Sequence, residues 1–288
     1  MSAIGRVVAA HGRQYVVEFQ DGRRLVCVPR GKKSEVACGD RVEVALTSPD
    51  QGVIEAIQPR RSLLYRSNDL RQKLIAANVD LLVLVVATEP AFSDELLTRA
   101  LVAAACEDIA PLIVLNKADL ADRLPAARQR LAVLAGLGYA IVELSARTDA
   151  EALRPHLTGR TTVLVGQSGM GKSTLVNALV PGAAAATREI SSALDSGKHT
   201  TTHACLYPLD GESQIIDSPG LQEFGLAHLE IPAIEAAFPE FAPWLGKCRF
   251  RNCHHDQEPD CALHAAVAAG AVDASRFTAY HRIVLSKR

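Results

Sequence analysis

The run Gly166-Gln167-Ser168-Gly169-Met170-Gly171-Lys172-Ser173 decides the fold of this chain. It fits G-x-x-x-x-G-K-[ST] and lies between an apolar run, Thr161 to Val165, and a helix-like stretch, Ser173 to Val180. A strand, a glycine-rich loop and a helix in that order make a phosphate cradle. The glycines let the backbone curl so that its N–H groups face phosphate oxygens, and the helix adds the positive end of its dipole. Lys172 is expected to reach the β- and γ-phosphates, a catalytic role, and the Ser173 hydroxyl to bind Mg²⁺. Gly166, Gln167, Ser168, Gly169, Met170, Gly171, Lys172, Ser173 and Thr174 are therefore the expected phosphate-side contacts. The competing reading is an ordinary glycine-rich turn, and the flanking strand and helix argue against it.

N-terminal to this loop, Leu81 to Ala87 reads as a continuous apolar strand, Ser93 to Cys106 as a helix and Pro111 to Leu115 as a strand. Ala121 to Leu137 reads as a helix and Tyr139 to Leu144 as a strand. Alternation of buried strand and helix predicts a parallel sheet covered on both faces, with ligands at the carboxyl ends of its strands. One such end carries Asn116-Lys117-Ala118-Asp119. A carboxylate at Asp119 can accept from the N1–H and the exocyclic amine of guanine together, a pair that adenine does not present. Asn116 is expected to tie loops, and the Lys117 stem to cover the base. After the next strand, Ser145-Ala146 offers a backbone N–H to the guanine O6. The bland alternative makes Asp119 a helix N-cap before Leu120 to Leu124.

C-terminal to the phosphate loop, Gly197-Lys198-His199-Thr200-Thr201-Thr202-His203 lies in a polar, Ser-rich stretch. Thr200 or Thr201 supplies an oxygen that closes on Mg²⁺ when a γ-phosphate is present, with Thr201 carried as the site residue. Ser213 to Ile216 forms a strand ending in Asp217-Ser218-Pro219-Gly220. Asp217 is expected to hold a Mg²⁺ water and the Gly220 N–H to sense the γ-phosphate, which is the basis of a switch.

The rest of the chain frames this domain. Residues 1 to about 60 read as five short strands with Asp21-Gly22 as a hairpin turn, which predicts a small barrel of the OB type. Net charge is −1, but residues 1–66 hold 11 Lys/Arg against 7 Asp/Glu, residues 244–288 hold 7 against 4, and the middle is acidic. Basic ends of this kind allow contact with RNA phosphates. Arg23, Arg24, Arg30, Lys32 and Lys33 cluster in the barrel; only Tyr15 and Phe19 offer stacking surface there, so its grip is mostly electrostatic. Near the C-terminus, Cys248, Cys253, His255 and Cys261, with His254 as a competing imidazole, provide three thiolates and one imidazole within fourteen residues, the soft ligand set of one closed structural Zn²⁺ site. The basic side chains Lys247, Arg249 and Arg251 lie among these ligands, and a helical run from Ala262 to about Lys287 follows. The N-terminus lacks a signal-peptide layout, and no apolar run approaches the roughly 18 residues of a membrane span, so a soluble cytoplasmic protein without membrane partners is expected.

N-K-x-D, S-A, G-x-x-x-x-G-K-S, T and D-x-P-G are the guanine-nucleotide motifs of translation-factor-type GTPases, but they occur here in the order fourth, fifth, first, second, third. The domain looks like a circularly permuted GTPase. With a small barrel before it and a Cys/His cluster after it, the whole chain resembles the ribosome small-subunit-dependent GTPase A family. That resemblance implies an α/β P-loop domain with an N-terminal OB-type barrel and a C-terminal, mainly helical, zinc-binding domain, divided at 1–60, 61–226 and 227–288. It also selects His255 over His254 through the spacing C-x4-C-x-H-x5-C. The implied partners are GTP and GDP with Mg²⁺, and the 30S subunit with its 16S rRNA; the implied role is late subunit maturation by a monomer. Leu221 follows D-x-P-G, where Ras-like proteins carry a Gln that orients the attacking water. His199 is the candidate replacement, since imidazole can orient a water near neutral pH. The rival classes are a metabolic GTP-dependent kinase or ligase, and an RNA-binding scaffold with a vestigial nucleotide site.

Overall fold

A computed structural model describes residues 2–31, 35–68, 71–183, 204–218 and 224–287. Five strands, β1 (Ser2–His11), β2 (Gln14–Phe19), β3 (Arg24–Pro29), β4 (Arg41–Leu46) and β5 (Gln51–Ile57), close into a barrel in the order β1-β2-β3-β5-β4, with β4 returning to β1. Only the β3–β5 pair is parallel. The closure needs alternating sequence: Val7, Val17, Leu25, Val42 and Ile54 fill the interior, while polar residues between them face outward. Asp21-Gly22 makes the expected turn, with the Gly22 N–H donating to the Phe19 carbonyl at 3.0 Å.

A hairpin follows, β6 (Leu63–Asn68) with β7 (Arg71–Ala77), which the sequence reading does not anticipate. The nucleotide-binding sheet adds β8 (Leu81–Ala87), β9 (Ala110–Asn116), β10 (Ile141–Glu143), β11 (Thr161–Val165), β12 (Ala204–Asp210) and β13 (Ser213–Asp217). Its order is β10-β9-β8-β11-β13-β12. β8 and β11 are buried at every position, as strands covered on both faces must be. The expectation of a parallel sheet holds for β10 through β13, whereas β12 runs antiparallel to β13. β12 then pairs with β1 through Ala9 opposite Cys205 and Ala10 opposite Ala204. One hydrogen-bonded array thus joins barrel and nucleotide sheet.

Helices α1 (Asp94–Cys106), α2 (Leu124–Gly136), α3 (Arg154–Leu157) and α4 (Lys172–Leu179) belong to the nucleotide-binding part. Ser93 caps α1, its hydroxyl accepting from the Leu96 N–H at 3.2 Å, and acidic Asp94 and Glu95 suit the positive end of the helix. Asp119 caps no helix, because α2 starts only at Leu124 with Arg123 in the capping position.

The C-terminal part contains α5 (Ile231–Ala236), α6 (Ala262–Ala268) and α7 (Ala274–Leu285). The run expected as one helix from Ala262 is two, since Asp273 restarts the helix by accepting from the Ser275 N–H at 2.8 Å. Phe238, Phe241, Phe277 and Tyr280 pack together as its core. Arg276, 4% exposed, bonds Glu240 at 2.7 Å and reaches Thr98 of α1, docking this part on the nucleotide domain. No helix among the described residues is long and apolar enough to cross a membrane.

Candidate nucleotide site and metal centre

β9, β10, β11 and β13 all end on one edge of the sheet, and their loops line a cavity of about 560 Å³. The residue that assembles these loops is Asn116, the last of β9 and 2% exposed. Its Nδ2 donates to the Met170 carbonyl at 2.8 Å, and its Oδ1 accepts from the Ala146 N–H at 2.8 Å. One side chain therefore ties the Asn116–Asp119, Ser145–Ala146 and phosphate loops. The approach requires glycine at 171: with φ at +93°, an added Cβ would stand 2.2 Å from Asn116 Nδ2. Gly166, with φ at +153°, likewise turns where a Cβ would meet the Val85 carbonyl at 2.3 Å.

Lys117 sits in the left-handed region, where Thr88 Oγ1 donates to its carbonyl at 3.1 Å and its own Nζ donates to the Glu89 carbonyl at 2.7 Å. The Ser145 hydroxyl is the main cause holding the Asp119 carboxyl below its ordinary range, with Arg147 and Lys117 adding attraction. Asp119 thus stays ionised and ready to accept from paired N–H donors. Lys172 Nζ donates to the carbonyls of Gly166 at 2.6 Å and Gln167 at 3.0 Å. Burial lowers its pKa, and the charge of Asp217 opposes that shift.

The cavity is lined by Asn116, Lys117, Asp119, Ser145, Ala146, Ser168, Gly169, Gly171, Lys172, Ser173 and Thr174. Gly166, Gln167 and Met170 are not among the lining residues and support the loop from behind. Gln167 Oε1 accepts from the Ser93 N–H at 2.7 Å, fixing the loop to the start of α1, and Met170 is buried. His199, Thr200, Thr201, Gly220 and Leu221 lie outside the described residues. Leu120, Arg147 and Ser218 also line the cavity, though the sequence reading assigns them nothing. Their only signal is adjacency to Asp119, Ala146 and Asp217.

Asp217 ends β13 and is 5% exposed, and its Oδ1 has no hydrogen-bond partner among the described residues. Burial pushes its pKa up to about 6, against a smaller opposing pull from Lys172. A buried orphan carboxylate oxygen beside the phosphate loop fits a Mg²⁺ shell. In the free protein the sign is clear: Asp217 binds its proton more tightly folded than unfolded, so its contribution is favourable at acid pH and is lost as pH rises through about 6. Asp217→Asn is therefore expected to unfold at a higher temperature than the parent at pH 8, with the two converging below pH 4. Thermal denaturation of nucleotide-free protein across that range checks it, and parallel pH profiles would contradict it.

The second cluster is Cys248, Cys253, His255 and Cys261, whose ligand atoms all lie within 4.8 Å of one another. Cys248 Sγ is 3.9 Å from Cys261 Sγ and 3.5 Å from His255 Nδ1, and His255 Nδ1 is 3.3 Å from Cys261 Sγ. A tetrahedral ion with Zn–S of about 2.3 Å and Zn–N of about 2.0 Å has ligand-to-ligand edges of roughly 3.5–3.8 Å, so this donor set fits one metal ion. His255 turns its other nitrogen, Nε2, toward Glu235 Oε1 at 3.7 Å, and Tyr280 donates to that same oxygen at 2.8 Å. A carboxylate behind a ligating imidazole fixes the ring, and the Ala262 N–H donating to Cys248 Sγ at 3.3 Å supports a thiolate. Glu235 is invisible to sequence reading because it comes from α5, twenty positions before His255.

A P-loop after a central strand, a guanine-type loop and its partner earlier in the chain, and a Mg²⁺-type aspartate later define a circularly permuted GTPase. The RsgA GTPase family matches residues 57–227, and the chain belongs to that family. It is 57% identical over 287 residues to the small ribosomal subunit biogenesis GTPase RsgA of Burkholderia pseudomallei, covering 98% of this chain and 91% of the relative. The protein of the same name in Paraburkholderia phytofirmans is 57% identical over 290 residues, covering 97% and 92%. Among solved structures, YjeQ from Thermotoga maritima superposes with a TM-score of 0.73 at 30% identity, covering 100% of this chain and 99% of that one. YloQ, a circularly permuted GTPase, gives 0.68 at 26% identity, covering 100% and 95%. The protein is accordingly a GTPase, a hydrolase of GTP, and not a metabolic kinase or ligase.

Proposed function

We propose that this GTPase binds the small (30S) ribosomal subunit through 16S rRNA, acts in its late maturation, and hydrolyses GTP faster on the subunit than alone. The observation that carries the nucleotide part is the pair of 2.8 Å hydrogen bonds from Asn116, which gathers base-reading and phosphate-holding loops round one cavity. The subunit part is supported by the relatives named as small ribosomal subunit biogenesis GTPases and by the basic barrel and metal-binding end of the chain. The working form is a cytoplasmic monomer of three units, 1–60, 61–226 and 227–288.

In this reading Asp119 pairs with the guanine N1–H and amine, a backbone N–H of the Ser145-Ala146 loop meets O6, and the Lys117 stem covers the ring. Gly166 to Thr174 cradle the phosphates, and the Gly220 N–H senses the γ-phosphate. Ser173, Thr201 and Asp217 would hold Mg²⁺, which supplies positive charge against the β- and γ-phosphate oxygens. Lys172 swings from its loop carbonyls to those same oxygens. A water oxygen attacks the γ-phosphorus in line, the bond to the β–γ bridging oxygen breaks, and GDP and phosphate leave without a covalent enzyme intermediate. His199 orients that water. One structural Zn²⁺ is held by Cys248, Cys253, His255 and Cys261.

GTP turnover with and without purified 30S subunits tests the reading. Many-fold stimulation is expected, and its absence in a folded, zinc-loaded sample would reject it. His199→Ala is expected to abolish the stimulated turnover while GTP affinity stays near the parent value; unchanged turnover would remove His199 from the mechanism.

A further inference from the structure

Across the outside of the barrel, four positions stand in one row: Arg41 of β4 opposite Arg6 of β1, Arg6 opposite Glu18 of β2, and Glu18 opposite Arg24 of β3. Their strand neighbours Val42, Val7, Val17 and Leu25 point into the core, so the pleat sends all four outward. Glu18 is committed to Arg24 at 2.6 Å. Arg6 and Arg41 are left directly opposed, and like charges at opposed positions of an antiparallel pair are destabilising. Of the carboxylates nearby, Glu43, two residues along β4, accepts from the neutral amide of Gln58 at 2.6 Å, and Asp80, before β8, pairs with Arg61 at 2.7 Å. Arg6 donates instead to the neutral Oε1 of Gln214 on β13. Burial, then the charges of Arg41 and Arg61, press the Arg6 pKa down, with Cys38 and Asp80 opposing, which agrees with a crowded, undercompensated guanidinium.

A sheet could avoid such a pair with almost any other residue at position 41, which is exposed. We propose that Arg6 and Arg41 form an anion seat for a phosphodiester of the RNA backbone, placed where the barrel meets the nucleotide sheet. Two planar guanidiniums on directly opposed strand positions suit phosphate oxygens, which accept paired N–H donors. The bound phosphate supplies the negative charge that the row lacks. The inference rests on the proposed subunit binding and names the chemistry of one contact within it.

The test uses the zinc-loaded protein with Arg41→Gln and Arg41→Lys, and with Arg128→Gln, an exposed arginine of α2 paired with Glu143, as control. Subunit affinity is measured against KCl concentration, and thermal unfolding is measured without subunits at low salt. Arg41→Gln is expected to weaken subunit binding several-fold and to reduce the slope of log K against log[salt] by roughly one. The same substitution is expected to raise the melting temperature of the free protein by roughly 1–3 °C, because the repulsion is gone. Arg41→Lys should keep the slope while binding more weakly than the parent, since it keeps the charge and loses the fork. Parent-like affinity and slope in Arg41→Gln, or a lower melting temperature, would overturn the seat while leaving subunit binding intact. Inorganic phosphate that raises the parent's melting temperature, with subunit affinity unchanged in Arg41→Gln, would mark a small-anion site only and also overturn it. A parent that fails to bind subunits at all would overturn both readings.

Discussion

Gly171→Ala is expected to lower guanine-nucleotide affinity by roughly 30-fold or more while leaving the barrel and the C-terminal part folded. Two costs coincide at this position. An L-residue held near φ +93° loses about 1–2 kcal/mol relative to glycine. The added Cβ also stands 2.2 Å from Asn116 Nδ2, so the amide must leave its place. With Asn116 displaced, the Met170 carbonyl and the Ala146 N–H lose their 2.8 Å partners, and each buried group left unpaired costs about 1–3 kcal/mol. Even with only one of these groups stranded, the total is about 2–5 kcal/mol, which is roughly 30-fold to several-thousand-fold in the dissociation constant. Titration with a fluorescent GDP analogue measures it. Asn116→Ala should show a loss of similar size from the other side of the contact, without backbone strain. Affinity within threefold of the parent in both variants would mean that the loops hold their places without this side chain.

Stripping the metal is expected to have the largest effect on stability. Structural Zn²⁺ contributes about 10–16 kcal/mol in small metal-folded peptides, whereas whole domains are stable by only about 5–15 kcal/mol. Chelation, or Cys261→Ser, should therefore unfold the segment from Cys248 through α6. Cys261 is buried and sits immediately before Ala262, so the ligand set and the start of α6 are lost together. The strands that carry the nucleotide loops, β8, β9, β11 and β13, are hydrogen-bonded to one another and include none of the metal ligands. GDP affinity is expected to change little while hydrogen exchange over 245–270 rises toward the unfolded rate. One zinc per chain by elemental analysis is the companion expectation. A chelator-treated protein that keeps both its melting temperature and its protection there would remove the metal from the account.

The features legible in the sequence are those whose physics is local. A phosphate loop is contiguous, a buried strand is a run of apolar residues, and a barrel strand alternates, so Gly166–Ser173, Leu81–Ala87 and the five barrel strands could all be read. The β6–β7 hairpin was not, because Tyr65-Arg66-Ser67-Asn68 and Arg71-Gln72-Lys73 are polar enough to read as loop. Helices α6 and α7 read as one run by their apolar spacing, although Gly270 and the Asp273 cap are ordinary stop and start signals. Other features depend on residues far apart in the chain. The Glu235 contact to His255, the orphaned Asp217 oxygen and the pairing of β12 with β1 exist only once the chain has folded.

That last pairing bears on how the protein is made. The barrel is synthesised before the nucleotide sheet and closes on itself through β1 and β4, so it can form while the following chain is still emerging. Yet Ala9 and Ala10 pair with Cys205 and Ala204, which appear almost two hundred residues later. During that interval the exposed end of β1 is an open strand edge, the kind of surface that invites wrong partners. β11, the strand before the phosphate loop, must also be inserted between β8, already present, and β13, not yet made. Contacts of such long range form slowly. Permutation therefore places the completion of the nucleotide site after the barrel is already formed.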